Sequence, residues 1–219
     1  MAVQLPIEDR ESAGLALAQA LLPCLTASTN TIVLALPRGG VPVAARVARA
    51  LGAELDLIIV RKLGLPRNRE LGFGAIASGG IRVLNEDVVR YRNVSQSTIE
   101  AVTEEENREL RRRETAYRGE HPLPVLQGRT VILVDDGIAT GATMFAAIDA
   151  IRQQRPKEII IAVPVAPEET LDELKTNVEQ VVCLATPTPF FSIGQWYRDF
   201  SQTSDSEVRE LLREAWNTP

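Results

Sequence analysis

The chain has 219 residues, of which 45% are hydrophobic and 24% charged, so it can bury a core and we expect one globular α/β domain. Its formal net charge of −5 provides no overall basic field, which argues against general nucleic-acid binding. The single histidine, His121, disfavours Ser-His-Asp and Cys-His catalytic sites and metal sites built from several histidines.

No apolar run approaches the roughly 18 residues that a membrane helix needs. The first residues, MAVQLP, lack the basic start and apolar core of a signal peptide. We therefore expect a cytoplasmic protein with no membrane association. Cys24 and Cys183 lie in apolar contexts and do not form a CxxC pair, which favours buried free thiols over a disulfide or a zinc site.

Helical and strand patterns alternate along the chain. The predicted helices are Glu11–Leu22, Val43–Leu51, Ser97–Tyr117, Ala142–Gln154 and Glu168–Thr176. The predicted strands are Thr31–Leu36, Leu55–Val60, Thr130–Val134, Glu158–Val163 and Gln180–Leu184, and a short stretch at Ile81–Leu84 is left without a type. Continuous apolar strands that alternate with helices are typical of a mainly parallel sheet flanked by helices.

The stretch VILVDDGIATGAT combines a buried strand with two adjacent acids, Asp135 and Asp136, and a loop of small residues, Ala139–Thr143. Open α/β sheets bind ligands at the carboxyl ends of their strands. A loop of small residues that enters a helix lets backbone N–H groups approach a phosphate closely. Two carboxylates would repel that phosphate, so they must face hydroxyl groups or a divalent cation. A ribose 5-phosphate ligand would supply both a vicinal diol for the acids and a phosphate for the loop.

This stretch closely resembles the phosphoribosyl pyrophosphate (PRPP) motif of the type I phosphoribosyltransferases. The resemblance implies a mainly parallel sheet flanked by helices, with a small hood and a mobile loop. It implies one phosphoribosyltransferase domain over residues 1–219, with a core at about 10–185, a hood or tail at about 186–219 and a charged helical insertion at about 95–118. By the same resemblance, Asp135 and Asp136 hold the ribose hydroxyls. The loop residues that would hold the 5-phosphate are Gly137, Ala139, Thr140, Gly141, Ala142 and Thr143.

Two basic segments fit the same family. LPRGGV, residues 36–41, looks like its pyrophosphate loop, in which Arg38 supplies a cation while Gly39 and Gly40 present backbone N–H groups to an anion. Arg61 and Lys62 end a predicted strand where family members often place basic residues near the pyrophosphate; a solvated strand end is the alternative. The resemblance makes Arg38 and Lys62 candidates for stabilising the leaving pyrophosphate.

The segment Leu63–Gly80 resembles the mobile loop that covers the site in many family members, with polar candidates at Arg67, Arg69 and Glu70. The GFGAIA stretch within it mimics a dinucleotide-binding fingerprint. It lacks the strand and the βαβ setting which that fingerprint requires, so a loop or hinge is favoured.

The C-terminal tail concentrates aromatic residues. By resemblance to the family's hood, Phe190, Phe191, Trp196 and Tyr197 are possible base-side residues that stack on a planar substrate. The alternative is that they pack the hood onto the main sheet. In the charged helix, Ser97 begins a capping-box pattern. The charged pairs along it indicate a helix that is solvated or faces a partner.

The resemblance implies an enzyme that uses Mg²⁺ and PRPP, transfers the phosphoribosyl group to a nitrogenous acceptor and releases pyrophosphate, as a homodimer. Ala139 stands where 6-oxopurine transferases carry an acidic base, so hypoxanthine and guanine are disfavoured acceptors and the acceptor stays open. A non-catalytic PRPP- or nucleotide-sensing module on the same fold is the alternative. The cations Arg38 and Lys62 favour the enzyme.

Overall fold

A computed structural model describes residues 3–25 and 30–217 of the chain, with the backbone alone for Glu70. The last two residues of the predicted tail and the Glu70 side chain lie outside the described part. The helices are α1 Arg10–Leu21, α2 Gly40–Leu51, α3 Glu86–Tyr91, α4 Gln96–Arg118, α5 Ala142–Gln153, α6 Glu168–Lys175 and α7 Asp205–Trp216. The strands are β1 Thr31–Ala35, β2 Glu54–Leu57, β3 Val60–Leu65, β4 Asn68–Ala77, β5 Ile81–Leu84, β6 Thr130–Val134, β7 Glu158–Val165 and β8 Gln180–Ala185.

The main sheet is parallel, with strand order β2-β1-β6-β7-β8, and helices cover both of its faces. Successive residues of β6 point to opposite sides: Ile132 joins the cluster that includes α1, α2 and α7, whereas Leu133 joins the cluster that includes α5 and α6. Both faces are therefore apolar, which explains why each central strand is a continuous hydrophobic run. The predicted α/β class with a central parallel sheet is confirmed.

The register between β1 and β6 places the functional loops side by side. Ala35 pairs with Val134, so both strands end at the same level of the sheet. The Leu36 N–H continues the ladder by donating to the Val134 carbonyl at 2.9 Å. The loop after β1 and the acids after β6 consequently emerge next to each other.

The predicted strand Leu55–Val60 is wrong as a single element, because the chain changes sheets within it. β2 ends at Leu57 in the parallel sheet, and β3 begins at Val60 in a separate antiparallel sheet of order β3-β4-β5. The apolar run is continuous because both ends of it are buried, so hydrophobicity alone does not reveal the switch. The segment predicted as a loop, Leu63–Gly80, is mostly the β3-β4 hairpin, in which Leu65 pairs with Asn68; its mobility stays a prediction.

The charged helix α4 packs against the chain itself. It buries Ile99, Leu110 and Tyr117 and contacts β3 and α7, so the expectation of a solvated or partner-facing helix is wrong for this face. Its N-cap is Ser95, whose hydroxyl accepts from the Thr98 N–H, and not the predicted Ser97. Within residues 3–25 and 30–217, no helix is long and apolar enough to cross a membrane.

A buried ion pair joins α4 to the parallel sheet. Arg118 NH1 lies 2.7 Å from Asp56 Oδ1, with side-chain exposures of 5% and 1%, and its NH2 donates to the Leu57 carbonyl at 3.0 Å. The guanidinium thus ties the end of α4 to β2. Removing one member of such a pair leaves the other charged and buried.

We predict that Arg118→Met lowers the free energy of unfolding by about 3 kcal/mol or more, because Asp56 loses its counter-ion in the interior. The matched control is Arg90→Met, which breaks an exposed pair with Asp87 and should change stability by less than about 1 kcal/mol. Urea denaturation of both variants measures the difference. Equal losses in the two variants would contradict the role of this pair.

Candidate functional site

Two glycines let the loop after β1 lie directly on the acids. A Cβ atom built on Gly39 would lie 1.9 Å from Asp136 Oδ2, and one on Gly40 would lie 2.9 Å from the Val134 carbonyl oxygen and 3.0 Å from Asp135 Cα. Any larger residue would push the loop off the acid pair. The two sequence motifs, PRGG and DDGIATGAT, therefore form one site.

The presentation of N–H groups to an anion by the PRGG loop stays a prediction, and in this structure the Gly40 N–H is used within the turn. That N–H donates to the Leu36 carbonyl at 3.1 Å, and the next N–H, from Val41, donates to the Arg38 carbonyl at 3.0 Å. Both donors close the turn into α2, so they are occupied. The glycine is required by the close approach to Asp135 and not by anion binding through its own amide.

Asp136 is buried, and a cation that sequence reasoning missed contacts it. Arg10, the first residue of α1, lies on Oδ2 with Nε at 2.8 Å and NH2 at 2.7 Å, and both side chains are 11% exposed. The Tyr197 hydroxyl donates to the Asp136 carbonyl at 2.7 Å. The Asp136 N–H donates to Asp135 Oδ1 at 2.8 Å. Asp136 is thus held by its side chain, its carbonyl and its N–H.

Burial controls the charge of the acid pair. Burial raises the pKa of Asp135 well above its usual value, and the neighbouring charge of Asp136 raises it further. Burial also raises the pKa of Asp136, although the Arg10 guanidinium opposes that effect. Two adjacent carboxylates in a poorly solvated place hold a proton readily. The pair therefore favours a ligand that brings hydroxyl donors or a cation.

The loop after the acids ends in an open helix terminus. Gly141 has φ +75° and is the N-cap of α5, so it offers no capping side chain to the first amides of the helix. Ala139, Thr140, Ala142 and Thr143 lie around it. The Thr170 hydroxyl fixes the loop by donating to the Ala139 carbonyl at 3.0 Å. The uncapped N–H groups and the helix dipole make this end suited to an anion.

The predicted cations are divided between different surroundings. Arg38 lies 3.4 Å from Asp205 of α7, which also accepts a hydrogen bond from the Tyr117 hydroxyl at 2.8 Å. The Tyr117 hydroxyl, and then Arg38, lower the pKa of Asp205. Arg61 pairs with Glu106 of α4 at 2.5 Å, so it does not face the site.

Lys62 lines a cleft of about 550 Å³ between the antiparallel sheet and α5. Ala142 and Thr143, at the N-terminus of α5, line the same cleft as Lys62. Among the other polar candidates of this hairpin, Arg67 is exposed and Arg69 pairs with Glu105 at 2.9 Å. The structure brings Lys62, but not Arg61, towards the phosphate-type loop.

The aromatic tail forms a cap with the N-terminal segment. The Ile7 N–H donates to the Trp196 carbonyl, and the Arg198 N–H donates to the Ile7 carbonyl, each at 2.8 Å. Tyr197 is only 6% exposed and uses its hydroxyl on Asp136, so its predicted role as a stacking surface is wrong in this conformation. Burial raises the pKa of Tyr197, and the charge of Asp136 raises it further, which keeps its hydroxyl a donor.

The other three aromatic candidates differ from one another: Phe190 and Trp196 pack against the cluster that contains Tyr197, whereas Phe191 does not. Phe190 packs against Trp196, with ring centroids 6.3 Å apart, and both are partly buried. Phe191 is 81% exposed. The sequence left two alternatives open for these aromatic residues, packing within the protein or an exposed surface. The cap contains examples of both.

A family model and a relative identify the family of this chain. A family model described as "Phosphoribosyl transferase domain" matches residues 16–195. A protein of Mycobacterium tuberculosis (strain CDC 1551 / Oshkosh), provisionally named a phosphoribosyl transferase, is 46% identical over 209 residues, which are 95% of this chain and 46% of the relative. The chain spans about half the length of that relative. The crystal structure of TT1426 from Thermus thermophilus has a TM-score of 0.87 at 43% identity and covers 95% of this chain and 98% of its own.

We predict that Tyr197→Phe lowers the free energy of unfolding by about 1–2 kcal/mol, because the buried Asp136 carbonyl loses its hydrogen-bond donor. Tyr91→Phe is the matched control, since Tyr91 is 80% exposed and its loss should stay within about 0.5 kcal/mol. Chemical denaturation compares the two variants. If they are equally stable, the tail is not fastened to the acid pair in this way.

Proposed function

Since the chain belongs to the phosphoribosyl transferase domain family, we propose that it binds PRPP and transfers its phosphoribosyl group to a nitrogenous acceptor with release of pyrophosphate. The observation that carries this proposal is the close packing of the PRGG loop on the Asp135-Asp136 pair, beside the open N-terminus of α5. These three features match the three parts of PRPP. Pyrophosphate lies at the loop, the ribose diol at the acids and the 5-phosphate at the helix.

The donor is held by complementary groups. The loop from Ala139 to Thr143 gives backbone N–H groups and the hydroxyls of Thr140 and Thr143 to the 5-phosphate. Asp135 accepts a hydrogen bond from a ribose hydroxyl and Asp136 from the other. Asp136 is buried and Asp135 is half-buried, and burial opposes the ionisation of both, so ribose hydroxyls are favoured over an anionic group.

The transfer breaks the bond between the anomeric carbon and the pyrophosphate oxygen, and the acceptor nitrogen forms the new bond. Positive charge develops on the sugar and negative charge on the leaving group, so cations at the leaving group lower the barrier. Arg38 fills this role after exchanging Asp205 for pyrophosphate, and Lys62 approaches from the cleft beside α5. The β3-β4 hairpin covers the site and excludes water.

The residues present also suit Mg²⁺. It is commonly held by one or two carboxylates together with substrate phosphates and waters, and Asp135 and Asp136 supply that number of carboxylates. When bound, Mg²⁺ neutralises charge on the pyrophosphate oxygens. We propose that substrate holds most of its coordination shell, with the two acids acting through hydroxyls or waters.

The acceptor binds on the side of the cap that carries Phe190, Phe191 and Trp196, where an aromatic face can stack on a planar base. Tyr197 is buried in the cluster on which Phe190 and Trp196 pack, and we propose no contact between it and the base. We propose a cytoplasmic homodimer with one phosphoribosyltransferase domain in each chain, a core at about 10–185, a hood from 186 and the charged insertion at 95–118.

We predict that Asp135→Asn weakens PRPP binding by about tenfold or more, because one of the two acceptor oxygens of the carboxyl group is replaced by an N–H donor. Asp135 is a cleaner target than Asp136, since changing Asp136 also strands the Arg10 charge. Asp172→Asn, at an exposed pair with Lys175, is the matched control and should bind like the parent. Calorimetric titration with PRPP and Mg²⁺ gives the affinities.

Incubation of the parent protein with PRPP, Mg²⁺ and a panel of bases then separates an enzyme from a sensor. Release of pyrophosphate with one base supports the transferase and identifies the acceptor. Tight PRPP binding without release for any base would favour the sensing module. Absence of PRPP binding would contradict the proposed function.

A further inference from the structure

Arg10 meets the candidate site from a distant part of the sequence, 126 residues before Asp136. It is the first residue of α1, and the preceding Asp9 caps that helix by accepting from the Ser12 N–H at 2.7 Å. The N-terminal segment is itself fixed to the C-terminal tail, where the Asp199 N–H donates to the Glu8 carbonyl at 2.9 Å. These contacts fix the backbone from which the Arg10 side chain extends.

The Arg10 guanidinium contacts three groups. Nε and NH2 contact Asp136 Oδ2, NH1 donates to the Ser201 carbonyl at 2.6 Å, and the Phe200 ring lies 4.0 Å from the guanidinium carbon. A planar, forked cation suits this arrangement, whereas a lysine ammonium has neither the fork nor the flat face. The contacts determine the orientation of Arg10 and, through it, that of Asp136.

Both nitrogens that reach Asp136 lie on the same oxygen. The backbone of Gly39 also lies on that side, since a Cβ there would be 1.9 Å from Oδ2 but 3.2 Å from Oδ1. Oδ2 is thus enclosed between a cation and the PRGG loop. Oδ1 lies farther than Oδ2 from the Gly39 backbone, and the Arg10 contacts are made to Oδ2, so Oδ1 is the less enclosed oxygen.

We propose that Arg10 is a positioning residue that turns Asp136 so that Oδ1 accepts a hydrogen bond from one ribose hydroxyl, and that this contact selects ribose over deoxyribose in the donor. The inference rests on the proposed binding of a ribose 5-phosphate group. It assigns Arg10 no contact with the substrate and no part in the bond-breaking step. Its effect is limited to the orientation and charge of one acceptor.

The test measures sugar selectivity instead of affinity alone. Calorimetric titrations with ribose 5-phosphate, 2-deoxyribose 5-phosphate and 3-deoxyribose 5-phosphate give, for each protein, the ratio of each deoxy-sugar Kd to the ribose Kd. The parent should favour ribose by about tenfold over at least one deoxy sugar, as expected for one charge-assisted hydrogen bond. In Arg10→Gln that ratio should fall below about threefold, while the Kd of the corresponding deoxy sugar stays near the parent value.

If Arg10→Gln only damages the site in general, the binding of all three sugars weakens by the same factor and the Kd ratios stay at the parent values. That result would overturn the proposal. Arg10→Lys serves if the glutamine variant does not fold, because it keeps the charge but loses the fork; its ratio should also fall, and a ratio equal to the parent's would contradict the proposal. Arg46→Gln is the matched control, since Arg46 makes an exposed pair with Glu11 of α1, at 2.6 Å, away from the acids. It should keep the parent ratios.

The outcome also separates this inference from the proposed function. A parent protein that binds none of the three sugars would remove both. A parent that prefers ribose, together with Arg10 variants that prefer it equally, would remove only the role of Arg10. A fall in the ratio confined to the Arg10 variants supports the inference.

Discussion

The site is organised around two like charges that the fold places side by side where water has little access. Asp135 and Asp136 follow the central strand β6, and burial opposes the ionisation of both. Such a pair is stable only if other groups offset its charge. Arg10 does so for Asp136 from within the chain. Asp135 has no comparable ion pair in the described residues, which is the physical reason for expecting a ligand with hydroxyl groups there.

The parts that surround the acids come from distant segments, and most of them also stabilise the fold. The β1-β6 register brings in the PRGG loop, and the pairing of both chain ends brings in Arg10 and Tyr197. The family assignment rests on the match over residues 16–195, and the close structural likeness to TT1426 extends over almost the whole chain. The candidate site is therefore assembled from segments that are far apart in the sequence.

The sequence was informative where one local pattern determines the result. Continuous apolar runs predicted the central strands, and the small residues before α5 predicted an open helix N-terminus. The resemblance to the family predicted that the PRGG loop and the acids serve one site, and the β1-β6 register supplies the structural reason. Only the structure reveals why Gly39 and Gly40 are needed there. The absence of a Cβ atom makes room for the two acids, and the Gly40 N–H is used within the turn.

Contacts between distant residues could not be predicted. No pattern near Arg10 in the sequence indicates its contact with Asp136. Tyr197 cannot be distinguished by sequence from the neighbouring aromatic residues, although its hydroxyl donates to the buried Asp136 carbonyl. Arg61 and Lys62 are neighbours in the sequence, but successive side chains of a strand point to opposite faces. Arg61 therefore pairs with Glu106, whereas Lys62 lines the cleft. The run from Leu55 to Val60 hid a change of sheet because both sheets bury it. Each failure reflects tertiary packing that local periodicity does not encode.

The most direct measurement of the central claim is a crystal structure of the protein with PRPP and Mg²⁺. The account predicts the 5-phosphate against the amides of the loop 139–143, a ribose hydroxyl on Asp135 and pyrophosphate beside Arg38. A ligand bound elsewhere, with Asp135 turned away from it and the amides at the start of α5 unoccupied, would contradict the claim.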